Sequence, residues 1–136
     1  EYVLVKESIS LPSEKKIYSL NEAYVNDFSA GMNEYLEFAH TNGYSLRYIG
    51  SMVADVHRTL LKGGVFIYPA TAKAPEGKLR LMYEANPMAM IIEQAGGLAY
   101  SGTDRILEIQ PSALHERCSV ILGSPEEVEQ LTSRLE

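Results

Sequence analysis

The 136-residue chain is long enough to bury about 68–70% of the surface its unfolded form exposes, which points to a single domain with one core. A composition of 46% hydrophobic and 22% charged residues excludes a disordered chain, and the lone Cys118 excludes an internal disulfide and a multi-cysteine zinc site. Twelve basic against eighteen acidic residues give a net charge of −6, which argues against a dedicated nucleic-acid or anionic-membrane surface, so an anionic ligand has to be met by a local cluster of cations. No apolar run approaches the roughly 20 residues of a membrane span and no basic-then-apolar leader opens the sequence, so we expect a soluble protein of a reducing compartment. Because Glu1 rather than an initiator Met comes first, we also expect processing or truncation.

In chain order, Tyr2–Lys6 reads as a short strand, and Ser8–Lys16, which contains Pro12, as a loop leading to a second strand at Ile17–Leu20. Asn21–Asp27 is expected to be an exposed turn. Ser29 caps a helix running to His40, with Met32, Tyr35, Leu36 and Ala39 at three- and four-residue spacing and Asn42-Gly43 as its stop. A second helix runs from Ser51 to Lys62 with Met52, Val53, Val56 and Leu60 on one face, and Gly63-Gly64 ends it. Val65–Tyr68 is a compact apolar strand, Pro69–Gly77 a loop and Leu79–Tyr83 the next strand. Asn86 as cap and Pro87 at the first helical position open a helix that reaches Gly96-Gly97. Leu98–Tyr100 reads as a strand, Ile106–Ile109 as extended, Pro111–Arg117 as a helical turn and Ser119–Leu122 as a buried strand. Ser124-Pro125-Glu126-Glu127 puts cap, proline and acidic first turn where a final helix prefers them. This alternation predicts the α/β class: one layered domain over residues 1–136, with a mixed central sheet covered by helices, no internal repeat, and a strand order left open.

The segment from Gly77 to Ala89 carries the most chemistry. If it is extended from Lys78, then Lys78, Arg80, Met82 and Glu84 share one face, and Leu79, Leu81 and Tyr83 share the other. Glu84 then falls at the carboxyl end of the strand and before a helix N-terminus, where open α/β sheets favour ligands. A single carboxylate there suits a hard cation such as Mg²⁺, which takes one or two protein carboxylates plus water and phosphate oxygens, while Lys78 and Arg80 would hold phosphate. A solvated strand face of mixed charge accounts for the same spacing, and on spacing alone it is the commoner explanation. Asp55 and His57 lie two residues apart on a helix and point to different sides, which favours structural roles. Tyr35, Tyr83 and Tyr100 are assigned to packing, His40 and His115 to helix-end or loop positions, and Cys118 to a small apolar role.

Taken with Tyr18-Ser19-Leu20-Asn21-Glu22 and the run from Arg47-Tyr48-Ile49-Gly50-Ser51-Met52 to Arg58, the Gly77–Ala89 stretch resembles the carboxy-terminal half of class I fructose-1,6-bisphosphatases. Its Lys78, its Tyr83-Glu84 pair and its Asn86-Pro87-Met88-Ala89 are similar to that family's active-site signature, and the resemblance runs from about Tyr2 to the Gly123-Ser124-Pro125 helix start. It implies catalytic roles for Glu84, as a ligand of divalent metal, and for Arg80, beside the phosphate that is removed. It further implies that Lys78 touches phosphate and sugar oxygens, that Asn21, Tyr24, Tyr48 and Tyr68 grip the phosphate at sugar carbon 6, and that Met52 borders the sugar. Arg47 is implied to reach the neighbouring subunit's site in a homo-oligomer, a tetramer. Tyrosines suit such a grip because each presents a phenolic O–H on a stiff apolar ring, and arginine suits it because two parallel N–H groups match two phosphate oxygens. The implied reaction removes the 1-phosphate of fructose 1,6-bisphosphate to give fructose 6-phosphate and phosphate, in gluconeogenesis or Calvin-type carbon metabolism, with Mg²⁺, Mn²⁺ or Zn²⁺, in the cytoplasm or a plastid.

The same family draws its remaining acidic ligands from an amino-terminal half that carries an Asp-Pro-Leu/Ile-Asp-Gly/Ser type of motif, and no such motif occurs here. The resemblance therefore implies a carboxy-terminal domain, inactive by itself, whose partner is its own amino-terminal domain. The alternatives are a sedoheptulose-1,7-bisphosphatase, and a non-catalytic sugar-phosphate binding or subunit-interaction fragment.

Overall fold

Val65-Phe66-Ile67-Tyr68 is apolar at every position, so a strand made from it has to be covered on both faces. In the computed structural model, which describes residues 1–136, this run is an interior strand of a six-stranded sheet with helices on both sides. The elements are β1 (Ile17–Ser19), a 3₁₀ helix at Glu22–Asp27, α1 (Ala30–Thr41), β2 (Ser45–Leu46), α2 (Met52–Lys62), β3 (Val65–Tyr68) and β4 (Leu79–Arg80). A π-helical turn at Leu81–Ala85, α3 (Asn86–Gln94), β5 (Leu98–Ser101), β6 (Asp104–Arg105), a 3₁₀ turn at Ile106–Glu108, β7 (Arg117–Cys118), β8 (Val120–Gly123) and α4 (Pro125–Leu135) complete the chain. The sheet runs β2-β1-β3-β8-β5-β6. Its first three strands are parallel and the others pair antiparallel, so the sheet is mixed, as the α/β reading requires. A separate antiparallel pair joins β4 to β7.

The two-residue period of the central strands divides the core in two. Val65, Ile67 and Ile121 point to the side covered by α1 and α4, where Met32, Tyr35, Leu36, Ala39, Val128 and Leu131 close over them. Phe66, Val120 and Leu122 point to the other side, where Val56 of α2 and Ala89 and Ile92 of α3 pack. The spacing read from the sequence places Met32, Tyr35, Leu36 and Ala39 inward in α1 and Val56, with half-buried Met52 and Leu60, inward in α2, but Val53, expected on the same face, is exposed. In α3 the buried residues are Ala89 and Ile92, while Met90 and Ile91 face solvent. Ser29 caps α1 as expected, its Oγ accepting from the Met32 N–H at 3.2 Å. No helix is long and apolar enough to cross a membrane.

Several expectations fail for identifiable physical reasons. Tyr2–Lys6 forms no strand, because no neighbouring strand in this chain pairs with it; Tyr2, Val3, Leu4 and Val5 are exposed. Asn21–Asp27 is a 3₁₀ helix rather than a plain turn, started by the Asn21 Oδ1 that accepts from the Ala23 N–H at 3.0 Å. The strand expected over Leu79–Tyr83 stops at Arg80: β7 is only two residues long, the Leu81 N–H makes the last in-register bond across to the Glu116 carbonyl at 2.8 Å, and the Glu84 carboxylate folds back onto the Arg80 N–H. From there the chain winds into the π turn and runs without a break into α3, so Asn86 sits in helical conformation and caps nothing. Ile106–Ile109 is a 3₁₀ turn rather than extended chain, and residues 111–116 form only turns and bends before β7. The two-residue strands β2 and β6 are too short to leave a periodic signal.

Candidate functional site

Because β1 lies between β2 and β3 and is parallel to both, their three carboxyl ends sit side by side at one edge of the molecule. Open α/β sheets bind ligands at such ends. Each strand delivers part of the candidate site there: Asn21 and Tyr24 follow β1, Arg47 and Tyr48 follow β2, and Tyr68 ends β3. Lys78 arrives from a different direction. Thr71 and Ala74 exchange backbone hydrogen bonds of 3.1 Å in a tight hairpin, and Gly77 then passes so close to β7 that a Cβ there would lie 2.2 Å from the Cys118 carbonyl carbon. With φ at +93° as well, only glycine fits at 77, and the crossing sets Lys78 at the mouth of the cleft.

Asn21, Tyr24, Tyr48, Tyr68 and Lys78 line one hollow of about 60 Å³, together with Asp27, Thr71 and Lys73. The Lys78 Nζ stands 5.5 Å from the centre of the Tyr24 ring, a cation–π distance that holds the ammonium at the opening. Burial pushes the pKa of the Tyr48 phenol up, as do Tyr68, Asp55 and Tyr24 nearby, while a hydrogen bond with Asn21 opposes the shift. Tyr48 therefore stays a protonated donor. Two lysines and a set of phenolic and amide groups around a small cavity form a receptor for an anion that carries several acceptor oxygens.

Met52 and Glu84 line a second hollow of about 230 Å³, and Tyr48 and Tyr68 form the wall it shares with the first. Asp55 also faces this hollow, and its side chain is fully buried. Burial pushes its carboxyl pKa up, but hydrogen bonds from Arg58 and from the Ile49 and Gly50 N–H groups more than offset this and hold the pKa below the usual 3.8.

The structure thus brings seven of the nine predicted site residues to two adjoining hollows; Arg47 and Arg80 line neither. Arg47 is exposed and its guanidinium donates to the Leu46 carbonyl at 2.9 Å. Arg80 is half-buried, with an Nε that has no partner. The shared face of Lys78, Arg80, Met82 and Glu84 does not exist, since Glu84 lies in the π turn and folds back to accept the Arg80 N–H at 2.9 Å. Tyr83, assigned to packing, is 48% exposed and pairs its hydroxyl with His115 Nδ1 at 2.8 Å, whereas Tyr35 is fully buried and Tyr100 packs against the core as expected. Lys73, Asp27 and Thr71 were not foreseen, and only the Pro69–Gly77 loop, long enough to fold back, hinted at Lys73 and Thr71. Cys118 is buried, its thiol pushed up to about 11 by burial and by Glu116 and Glu84, which keeps it protonated and inert.

A divalent cation needs several oxygen ligands, and no group of three acidic, histidine or cysteine side chains converges anywhere in the chain. In the second hollow, Asp55 is occupied by three donors, and one Glu84 oxygen holds the Arg80 N–H. The residues of this chain do not by themselves make a metal site.

Comparison with known proteins agrees with this architecture. The profile of the family described as fructose-1-6-bisphosphatase, C-terminal domain, matches residues 11–136. Fructose-1,6-bisphosphatase isozyme 2 of Bos taurus is 53% identical over 135 residues, which cover 96% of this chain and 40% of the relative. A class 1 fructose-1,6-bisphosphatase of a Synechococcus strain is 51% identical over 137 residues, covering all of this chain and 41% of the relative. The crystal structure of Leishmania major fructose-1,6-bisphosphatase in holo form superposes with a TM-score of 0.91 at 49% identity, over 94% of this chain and 40% of that one. The chain thus spans about two fifths of the length of the relatives it matches. A shared fold at half the residues, over nearly every position, places this chain in the fructose-1,6-bisphosphatase carboxy-terminal domain family.

Proposed function

We propose that this chain is the substrate-gripping part of an enzyme that removes the 1-phosphate of fructose 1,6-bisphosphate, leaving fructose 6-phosphate. The observation that carries this reading is the convergence of Asn21, Tyr24, Tyr48, Tyr68 and Lys78 from separate segments onto one hollow at the carboxyl ends of three parallel strands. In this reading the hollow takes the 6-phosphate. The phenols and the Asn21 amide donate to its oxygens, and Lys78 supplies charge at the opening; each such bond to a charged group contributes about 1.5–3 kcal/mol. The sugar lies toward the Tyr48–Tyr68 wall and Met52, which directs the 1-phosphate to the second hollow, where Glu84 stands and which Arg80 approaches through its backbone contact with Glu84.

Glu84 is one carboxylate of a divalent-metal site, Mg²⁺ by its chemistry, whose other ligands come from an amino-terminal part of the enzyme; that this chain spans only about two fifths of its relatives supports such a part. That part is the partner this chain requires. Arg47 serves the 6-phosphate of a neighbouring subunit in a homo-oligomer; its exposure, and a guanidinium whose hydrogen bond goes to the carbonyl of the preceding residue, favour that role.

Titrating fructose 6-phosphate into the chain while following the tyrosine NMR signals tests the reading. Tyr24, Tyr48 and Tyr68 are expected to shift, fructose is expected to leave them unmoved, and Lys78→Ala is expected to weaken binding roughly tenfold. Shifts confined to residues outside this hollow, or none at all, would refute it.

A further inference from the structure

The loop that carries Tyr48 lies between the end of β2 at Leu46 and the start of α2 at Met52, and its last tie to a strand is the Arg47 N–H on the Tyr18 carbonyl at 3.0 Å. Beyond Tyr48 the loop is held by one side chain of α2. Asp55, fully buried in the first turn of α2, accepts the Ile49 N–H at 3.0 Å on one oxygen and the Gly50 N–H at 3.1 Å on the other. Arg58, one turn on, donates to the same carboxylate at 2.7 Å and keeps it aimed at the loop. The Ile49 N–H belongs to the peptide bond that follows Tyr48, so the Asp55 carboxylate holds the backbone directly beside the Tyr48 side chain, and Asp55 and Tyr48 both line the second hollow. A continuous path therefore runs from Arg58 through Asp55 to the Ile49 N–H, and through the Tyr48–Ile49 peptide to the residue whose ring separates the two hollows.

We propose that Asp55 is a positioning residue for substrate: by holding the Ile49 and Gly50 backbone it sets the Tyr48 ring in the wall shared by the two hollows, and through that ring it sets affinity for the phosphate. The proposal rests on the reading of Tyr48 as part of the phosphate grip. Asp55 touches no reacting atom, and its influence on the substrate passes through Tyr48. A carboxylate is required because two N–H groups and a guanidinium converge on it. An amide at the same place offers one acceptor oxygen and presents an NH₂ group to donors, so the loop loses one of its anchors.

The test is steady-state kinetics of the full-length enzyme carrying Asp55→Asn, Tyr48→Phe or both. Asp55→Asn is expected to raise KM for fructose 1,6-bisphosphate roughly tenfold while kcat stays within about twofold of the parent, because the lost interaction concerns binding and not the reacting centre. The double variant is expected to be no worse than Tyr48→Phe, since the hydroxyl whose placement toward the phosphate Asp55 governs is already gone. If Tyr48→Phe raises KM and Asp55→Asn does not, or if the two effects multiply in the double variant, the proposal is overturned and the phosphate-grip reading stands. If Tyr48→Phe itself leaves KM unchanged, that reading fails and takes the proposal with it. Should Asp55→Asn not fold, Arg58→Gln loosens the carboxylate without removing it: a several-fold rise in KM at unchanged kcat supports the proposal, and an unchanged KM overturns it.

Discussion

Glu127 occupies the first turn of α4, where an acid facing solvent would complement the helix dipole, yet its side chain turns inward and is only 5% exposed. Burial pushes its carboxyl pKa above the ordinary 4.5, which the hydrogen bond from the Tyr44 hydroxyl only partly opposes, and one of its oxygens has no partner. A group whose pKa is raised by folding contributes stability that is complete below its unfolded value and is lost as the pH rises through its folded value. Glu127→Gln keeps the shape and an acceptor for Tyr44 but no longer titrates. The melting temperature of the variant relative to the parent should therefore rise by a few degrees between about pH 4 and pH 7, and a difference that does not change with pH would show the inward carboxyl to be as easily ionised as in the unfolded chain. Asp55 works with the opposite sign: its depressed pKa makes its contribution complete above the ordinary carboxylate range and lost as the pH falls below it. Both carboxylates were visible in the sequence as helix residues. That one would be buried beside Tyr44 and the other beneath the Tyr48 loop depends on what packs over them.

Two serines at cap positions show the same distinction for whole elements. Ser29 caps α1 through its own helix, so Ser29→Ala should cost about 1 kcal/mol. Ser124 also precedes a helix, but its Oγ donates to the Pro12 carbonyl at 2.7 Å and accepts the Gly64 N–H at 3.1 Å, tying the amino-terminal loop to the start of β3. Ser124→Ala leaves a buried N–H and a carbonyl without partners and should cost more, about 1–3 kcal/mol for each group left unpaired. Urea unfolding of the two variants decides this, and a loss at Ser124 no larger than at Ser29 would show that water replaces those bonds. The π turn at Leu81–Ala85 has a similar origin. Local pattern favoured a strand through Tyr83, but β7 offers no partner beyond the Glu116 carbonyl, so the chain turns after Leu81, Glu84 accepts the Arg80 N–H, and Glu84 comes to line the second hollow.

At the scale of the molecule, the lack of any three-ligand acidic cluster sets a clear expectation: the 136-residue chain alone should release no phosphate from fructose 1,6-bisphosphate with Mg²⁺, since one free carboxylate neither fixes the ion nor orients water. Robust Mg²⁺-dependent release by the purified chain, measured as free phosphate, would show that the catalytic ligands do not lie elsewhere. The exposed Arg47 adds an expectation for the assembled enzyme. Mixed oligomers of Arg47→Ala subunits with subunits inactivated by Glu84→Gln should regain near-normal substrate affinity at the intact metal site, because the intact Arg47 comes from the other chain. Loss of its hydrogen bonds to phosphate corresponds to roughly ten- to a hundredfold in affinity, a difference that kinetics of the mixture resolves. Mixed oligomers whose active sites all retain the weakened affinity would place Arg47 in its own subunit's site.

Features that depend on local physics were legible in the sequence: the inward face of α1, most of that of α2, the Ser29 cap, the apolar runs of β3 and β8, and hence the α/β class. The residues of the candidate site were legible through resemblance but not through spacing, since Asn21, Tyr24, Tyr48 and Tyr68 share no period. Only the tertiary structure decided that β2, β1 and β3 run parallel and side by side, and this alone gathers those residues at one edge. It also decided that Tyr2–Lys6 stays unpaired and that Glu84 rises from a π turn instead of a strand end. These cases have one cause: strand pairing, the point where a partner strand runs out, and burial of a carboxylate are settled by groups distant in sequence, and local periodicity carries no record of them.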